Sequence, residues 1–207
     1  MGRVRVHQHV NPLAPHFRFT PEPIVLSEIF SDEKKPLFID IGSARGRFIL
    51  KMAERDPTTN FLGMEIRQAL VDEANRIAKE KGLANVHYIF CNAMTSVGKL
   101  FERTPSGLVR NVTIQFPDPW FKKKHAKRRM VTPELARDVV GLLASEGSLF
   151  IQTDVDFLAD EMFDIFRGFP ELEERLTTEN PMPFKTEREE SVEQRDLPVF
   201  RIRFVKR

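Results

Sequence analysis

From Pro36 onward, short apolar runs alternate with amphipathic stretches, and this alternation restricts the fold more than any other feature. The runs are 37-LFIDI-41, 60-NFLGME-65, 85-NVHYIFCNA-93, 109-VRNVTIQF-116 and 147-GSLFIQTD-154. Between them lie the helical patterns 47-RFILKMAER-55, 67-RQALVDEANRIAKEKG-82 and 134-ELARDVVGLLAS-145, and a short helix near Thr95 to Phe101. A further helix, 155-VDFLADEMFDIFR-167, follows the fifth run. Gly82 is placed to close the second helix, and Thr132-Pro133 to cap and start the fourth. Strands alternating with helices of these lengths predict an α/β fold with a mostly parallel sheet and helices on both faces. The tail segments 171-ELEERL-176 and 199-VFRIRFVKR-207 predict two more strands, an antiparallel pair at the C-terminal edge.

The 207 residues suit one well-filled domain, placed at 36–207. Residues 1–35 form a basic, proline-punctuated arm, 3-RVRVHQHVNPLAPHFRFTPEP-23, without sustained periodicity. It is expected to be mobile or draped over the domain. Its His7 and His9 lack a third ligand, so no metal is expected. The single cysteine, Cys91, excludes an internal disulfide and a Cys-rich zinc site and fits a reducing compartment. No apolar run approaches the roughly 20 residues needed to cross a bilayer. No signal peptide opens the chain, and the start Met1-Gly2-Arg3-Val4-Arg5-Val6 lacks the hydroxyl of a myristoylation signal. The expected compartment is the cytoplasm, without membrane attachment.

In open α/β sheets, ligands bind beyond the carboxyl ends of the strands. There the chain places Asp40 and the loop Gly42 to Gly46, then Glu65, Asn92, Asp118 and Asp154. The loop fails as a dinucleotide fingerprint, because Ala44 stands where close approach of a pyrophosphate needs glycine. No phosphate-binding G-x-x-x-x-G-K-[ST] loop is present either. Glu65 follows the loop by about 20 residues, the spacing at which an acid accepts hydrogen bonds from ribose hydroxyls. S-adenosylmethionine meets both conditions: it carries ribose, no pyrophosphate, and a positive charge that acids favour. Asp40 or Glu65 singly could be a helix cap; both at this spacing favour a ligand.

The stretch 114-IQFPDPWFKKKHAKRR-129 adds a second kind of chemistry. Prolines on both sides of Asp118 end the strand, since neither can donate a ladder hydrogen bond. Trp120 offers a broad face for stacking a base or for packing the turn. Asp118 accepts only, and guanine presents adjacent N1–H and N2–H₂ donors. Lys122 to Arg129 holds six cations and no acid, which suits a phosphate backbone.

From about Pro36 to its end, the chain resembles the bacterial tRNA (guanine-N7)-methyltransferases. The carrying segments are 39-IDIGSARGRFIL-50, 62-LGMEIR-67, 114-IQFPDPWFKKKHAKRR-129, 151-IQTD-154 and 184-FKTEREE-190. The resemblance implies a Rossmann-like S-adenosylmethionine-dependent methyltransferase fold, with cofactor contacts at Asp40, Gly42, Gly46, Glu65, Asn92 and Asp118. It implies substrate contacts at Lys122, Asp154, Thr186 and Glu189, with Lys124, Lys127, Arg128 and Arg129 facing RNA. The family commonly has glycine at the position of Ala44, glutamate at that of Asp40 and proline at that of Phe121. The implied partner is tRNA, at guanosine 46 of the variable loop; no obligate protein partner is implied and no oligomeric state is fixed. N7 already carries a free lone pair, so Asp118 is expected to orient guanine and offset its developing charge rather than to act as a base. The rival readings are an RNA-binding module with a decayed pocket, a nicotinamide-dependent oxidoreductase, and a methyltransferase of another acceptor.

Overall fold

The computed structural model describes residues 10–207, so His7, His9 and the first residues of the arm lie outside it. The five expected parallel strands form as β1 (Leu37–Ile41), β2 (Asn60–Glu65), β3 (Val86–Phe90), β4 (Val109–Gln115) and β5 (Leu143–Thr153). β6 (Leu172–Leu176) and β7 (Phe200–Lys206) complete one seven-stranded sheet in the order β3-β2-β1-β4-β5-β7-β6. β1 to β5 run parallel, while β7 lies antiparallel between β5 and β6. The antiparallel C-terminal edge is therefore present as expected.

Every residue of β1 and β2 is buried, as a parallel sheet covered on both faces requires. The two-residue period of β1 sorts its side chains. Leu37, Ile39 and Ile41 join the larger core with α4 (Ala93–Leu100), α5 (Pro133–Leu142) and α6 (Asp156–Arg167). Phe38 joins the smaller core with α2 (Arg47–Arg55) and α3 (Gln68–Glu80). As expected, Thr132 caps α5, its Oγ1 accepting from the Leu135 amide at 3.2 Å, with Pro133 in the first turn.

Two local assignments differ from the sequence reading. α5 stops at Leu142 rather than Ser145, and β5 begins at Leu143 rather than Gly147. Leu142-Leu143-Ala144 is apolar on either reading; pairing of Leu143 with Val109 decides for the strand, and the register shifts before Ser148 pairs Asn111. The sequence also gave no element between 177 and 198, where α7 (Glu187–Glu193) forms. Thr186 is its N-cap, with Oγ1 accepting from the Glu189 amide at 3.2 Å.

Residues 11–30 lie on the domain. The short helix α1 (Leu26–Ile29) and the following residue place Leu26 and Phe30 in the larger core. The Ile24 amide donates to the Leu100 carbonyl at 2.9 Å. Phe19 stacks on Phe90 at the end of β3, with ring centroids 5.5 Å apart and planes 14° from parallel.

Candidate active site

The register of the sheet brings the strand ends together. Asp40 pairs with Gly63 on one side and Thr113 on the other. Its carboxylate accepts from Thr113 Oγ1 at 2.6 Å. Burial pushes the Asp40 pKa up to about 6; hydrogen bonding from Thr113 and Gln115 pulls against this, and the Glu65 charge adds to the rise. Gln115, at the end of β4, lies close enough to Asp40 for its side-chain amide to favour the charged carboxylate.

The glycine loop forms the floor. Gly42 and Gly46 take φ of +85° and +70°, in the left-handed region that glycine enters without strain. At Gly46 a side chain is excluded twice over, by the positive φ and by Tyr88: an added Cβ would lie 2.2 Å from Tyr88 Cε1, in a ring whose hydroxyl donates to the Gly46 carbonyl at 2.7 Å. Ala44 also adopts positive φ, +49°, which accounts for a glycine preference at this position. Its amide donates to Glu65 Oε2 at 2.9 Å, offsetting part of the strain.

Glu65, at the end of β2, is almost fully buried and holds Arg67 with both oxygens. Arg67 Nε donates to Oε1 at 2.8 Å and the second guanidinium nitrogen to Oε2 at 3.0 Å. Burial opposes the Arg67 charge, yet the hydrogen bonds to Glu65 and the attraction of Glu65 and Asp118 leave its pKa raised. Arg67 thus stands between two of the expected site acids, a role no spacing argument assigned to it. Asn92 is buried at the end of β3. Its Oδ1 accepts from the Met94 amide at 3.2 Å, capping α4, and its Nδ2 donates to the carbonyls of Pro12 and Phe17 at 2.9 and 3.3 Å. The described part of the arm therefore reaches the carboxyl end of β3.

Asp118 is exposed at the end of β4, in a turn flanked by Phe116 and Trp120 at φ of +50° and +44°. Strained backbone of this kind costs about 1–3 kcal/mol per residue and gathers at functional sites. The cations follow in a 3₁₀ segment, Lys123–Arg128. Trp120 is half-buried, with Arg128 over its ring at 4.9 Å and His125 against its edge at 5.6 Å. Lys122, Lys123, Lys124 and Lys127 are exposed. Met130, which follows the basic segment, packs at the glycine loop: its Cε lies 3.1 Å from where a Cβ on Gly42 would stand.

Three expected substrate residues make contacts within the protein. Arg129 turns inward: its Nε donates to the Pro119 carbonyl at 3.1 Å, it pairs with Glu161, and it covers the Phe157 ring at 4.8 Å. It braces the turn instead of extending the exposed row. Thr186 is used as the α7 cap. Glu189 is 0% exposed, accepting from Arg201 at 2.9 Å, Gln152 at 3.0 Å and Asn180 at 2.7 Å. In the described structure this buried carboxylate fastens α7 to β5 and β7. The T-x-x-E spacing is also a helix-start signature, the signal that would have found α7. Asp154, at the end of β5, pairs with Arg188 of α7. A cleft of about 320 Å³ lies beside α7, lined by Asn180, Phe184, Lys185, Glu193 and Arg201 among others.

The donor set fits S-adenosylmethionine. The buried Asp40 suits a cation, Glu65 is a buried acceptor held by Arg67, and the positive-φ loop suits a nucleoside without phosphate. The fold is the Rossmann-like fold of S-adenosylmethionine-dependent methyltransferases. The aminoglycoside resistance methyltransferase NpmB1 superposes with a TM-score of 0.54 at 18% identity, over 85% of this chain and 89% of that one. A family profile described as "Putative methyltransferase" matches residues 34–202. The tRNA (guanine-N(7)-)-methyltransferase of Nostoc sp. is 48% identical over 97% of this chain and 94% of its own length. That of Synechococcus elongatus is 44% identical over 100% and 98%. The chain belongs to the tRNA (guanine-N7)-methyltransferase family.

Proposed function

We propose that this chain transfers a methyl group from S-adenosylmethionine to N7 of a guanosine in tRNA, with guanosine 46 of the variable loop as the target and the cytoplasm as its place of action. The observation that carries this reading is the nearness of two segments of different chemistry. Arg67, held by the buried Glu65 beside the glycine turn, feels the charge of Asp118, and Met130, which follows the exposed lysines, packs at Gly42.

S-adenosylmethionine supplies an electrophilic methyl group next to a positive sulfur. Asp40 supplies negative charge for it, Glu65 would accept from its ribose hydroxyls in place of Arg67, and the Gly42–Gly46 turn lets the backbone come close. Asn92 and Gln115 border the cofactor at the neighbouring strand ends. Asp118 accepts from the Watson–Crick edge of guanine, holding N7 towards the methyl group and offsetting the charge that moves onto the base. Lys122, Lys124, Lys127 and Arg128 meet phosphates, positioning the RNA without reading its sequence. Asp154 lies at the next strand end and sets Arg188 at the rim of the same region. Exposing a guanine from the folded core of tRNA costs a few kcal/mol of unstacking, which these contacts offset.

The test is transfer of radiolabelled methyl to unmodified tRNA, followed by chemical cleavage at 7-methylguanosine. Label at one variable-loop guanosine, absent from a tRNA in which that guanosine is replaced, is the expected result. Binding of S-adenosylmethionine with no label on any tRNA would overturn the reading and point to another acceptor.

A further inference from the structure

We infer that Phe121 and Phe157 form a stacking platform for an unpaired nucleobase of the RNA substrate, beside the row of lysines. This inference rests on the tRNA reading above. Phe121 is 69% exposed and Phe157 39%, and their rings meet edge to face with centroids 5.9 Å apart. With Lys123, Ala126, Arg129 and Glu161 they line an open groove of about 440 Å³.

Phe121 is the freer ring of the platform, and its surroundings brace it. Phe157 is in the first turn of α6 and lies beneath the Arg129 guanidinium at 4.8 Å. Arg129 in turn is fastened to the Pro119 carbonyl and to Glu161. Phe121 follows directly on Trp120, whose φ of +44° is unfavourable for a bulky side chain. An exposed aromatic and a strained backbone side by side are two local costs that a bound ligand would offset. Exposed apolar surface rimmed by polar groups marks an interaction site.

Charge decides what kind of ligand. Glu161 is paired with Arg129, so the groove's lining holds no unpaired acid, while Lys123 lines it and its chain neighbours Lys122 and Lys124 are exposed. Aromatic faces interleaved with lysines are what single-stranded nucleic acid requires: bases stack and phosphates find cations. A target guanine drawn out of the tRNA core leaves neighbouring bases unstacked, and this groove gives one of them a surface.

The test compares the full chain with the variants F121A, F121W and F157A in tRNA binding across about 50–200 mM salt. Stacking contributes without releasing counterions, so F121A should weaken binding roughly 5- to 100-fold at every salt concentration, with an unchanged slope of log K against log salt. F121W should restore affinity, and F157A should weaken it as F121A does. The KM for tRNA should rise far more than kcat falls, with the melting temperature and the affinity for S-adenosylmethionine unchanged. Unaltered tRNA affinity in F121A overturns the inference. So does a changed salt slope, or equal losses in F121A and F121W. If tRNA affinity holds while F121A abolishes self-association in sedimentation, the patch is a contact between copies of this chain and the inference fails. A wild-type chain that methylates tRNA no better than F121A refutes the platform alone; one that neither binds nor methylates tRNA removes the function and the platform together.

Discussion

Replacing Asp40 by Asn separates folding from function at a single atom. Asp40 is 5% exposed, and its pKa stands at about 6 in place of the ordinary 3.8. Between those values the folded chain holds a proton that the unfolded chain releases, so stability falls as pH rises through this window. The difference of about 2 pKa units corresponds to about 3 kcal/mol, nearly all of it expressed at pH 7. Asn has the same shape, and its carbonyl can still accept from Thr113 Oγ1, but it carries no charge to desolvate. Without cofactor, D40N should therefore be more stable than the parent by about 3 kcal/mol at pH 7 and by little at pH 4. For a chain of this size that is a rise of about 6–12 °C in Tm at neutral pH. Urea denaturation of both proteins at several pH values measures it. The same variant should bind S-adenosylmethionine at least 10-fold more weakly, because a cationic ligand loses its buried counter-charge. A D40N protein less stable than the parent at pH 7, or a difference that does not change between pH 4 and 7, would refute the burial argument.

Other consequences follow from the same structure. Asp118→Asn should lower kcat for tRNA methylation at least 10-fold with tRNA affinity little changed, and full turnover would remove Asp118 from the guanine site. Alanine at Lys122, Lys124 and Lys127 should each reduce the salt slope of tRNA binding by about 1, without altering which guanosine is methylated. Glu189→Ala should cost about 3 kcal/mol or more in urea denaturation, since it leaves Arg201 and Gln152 short of a buried acceptor; a normal midpoint would show that the carboxylate is not a fastening. Burial pushes the Cys91 thiol up to about 12, so the native protein should resist alkylation at pH 8 and react only when unfolded.

The sequence by itself determined the layered architecture, because β1 and β2 are short apolar runs and the helices between them carry one apolar stripe. Local chemistry settles such elements: prolines end β4 before Asp118, and Thr132 with Pro133 starts α5. It also singled out the strand-end residues Asp40, Glu65 and Asn92, since a parallel sheet delivers every strand end to one side. What each side chain touches was decided by the tertiary structure. Arg129 reads like its neighbours in a run of cations, yet packing of α6 against the turn draws it onto Phe157 and Glu161. Glu189 looks like one acid among several, yet β7 brings Arg201 to it from 12 residues away. Asn92 meets Pro12 across 80 residues of chain, and Asp40 meets Thr113 across 73. A sequence displays residue types and near neighbours, whereas the energy of a charge or a donor depends on its partners and on the water removed around it. Those partners arrive from distant segments, and only the folded chain fixes them.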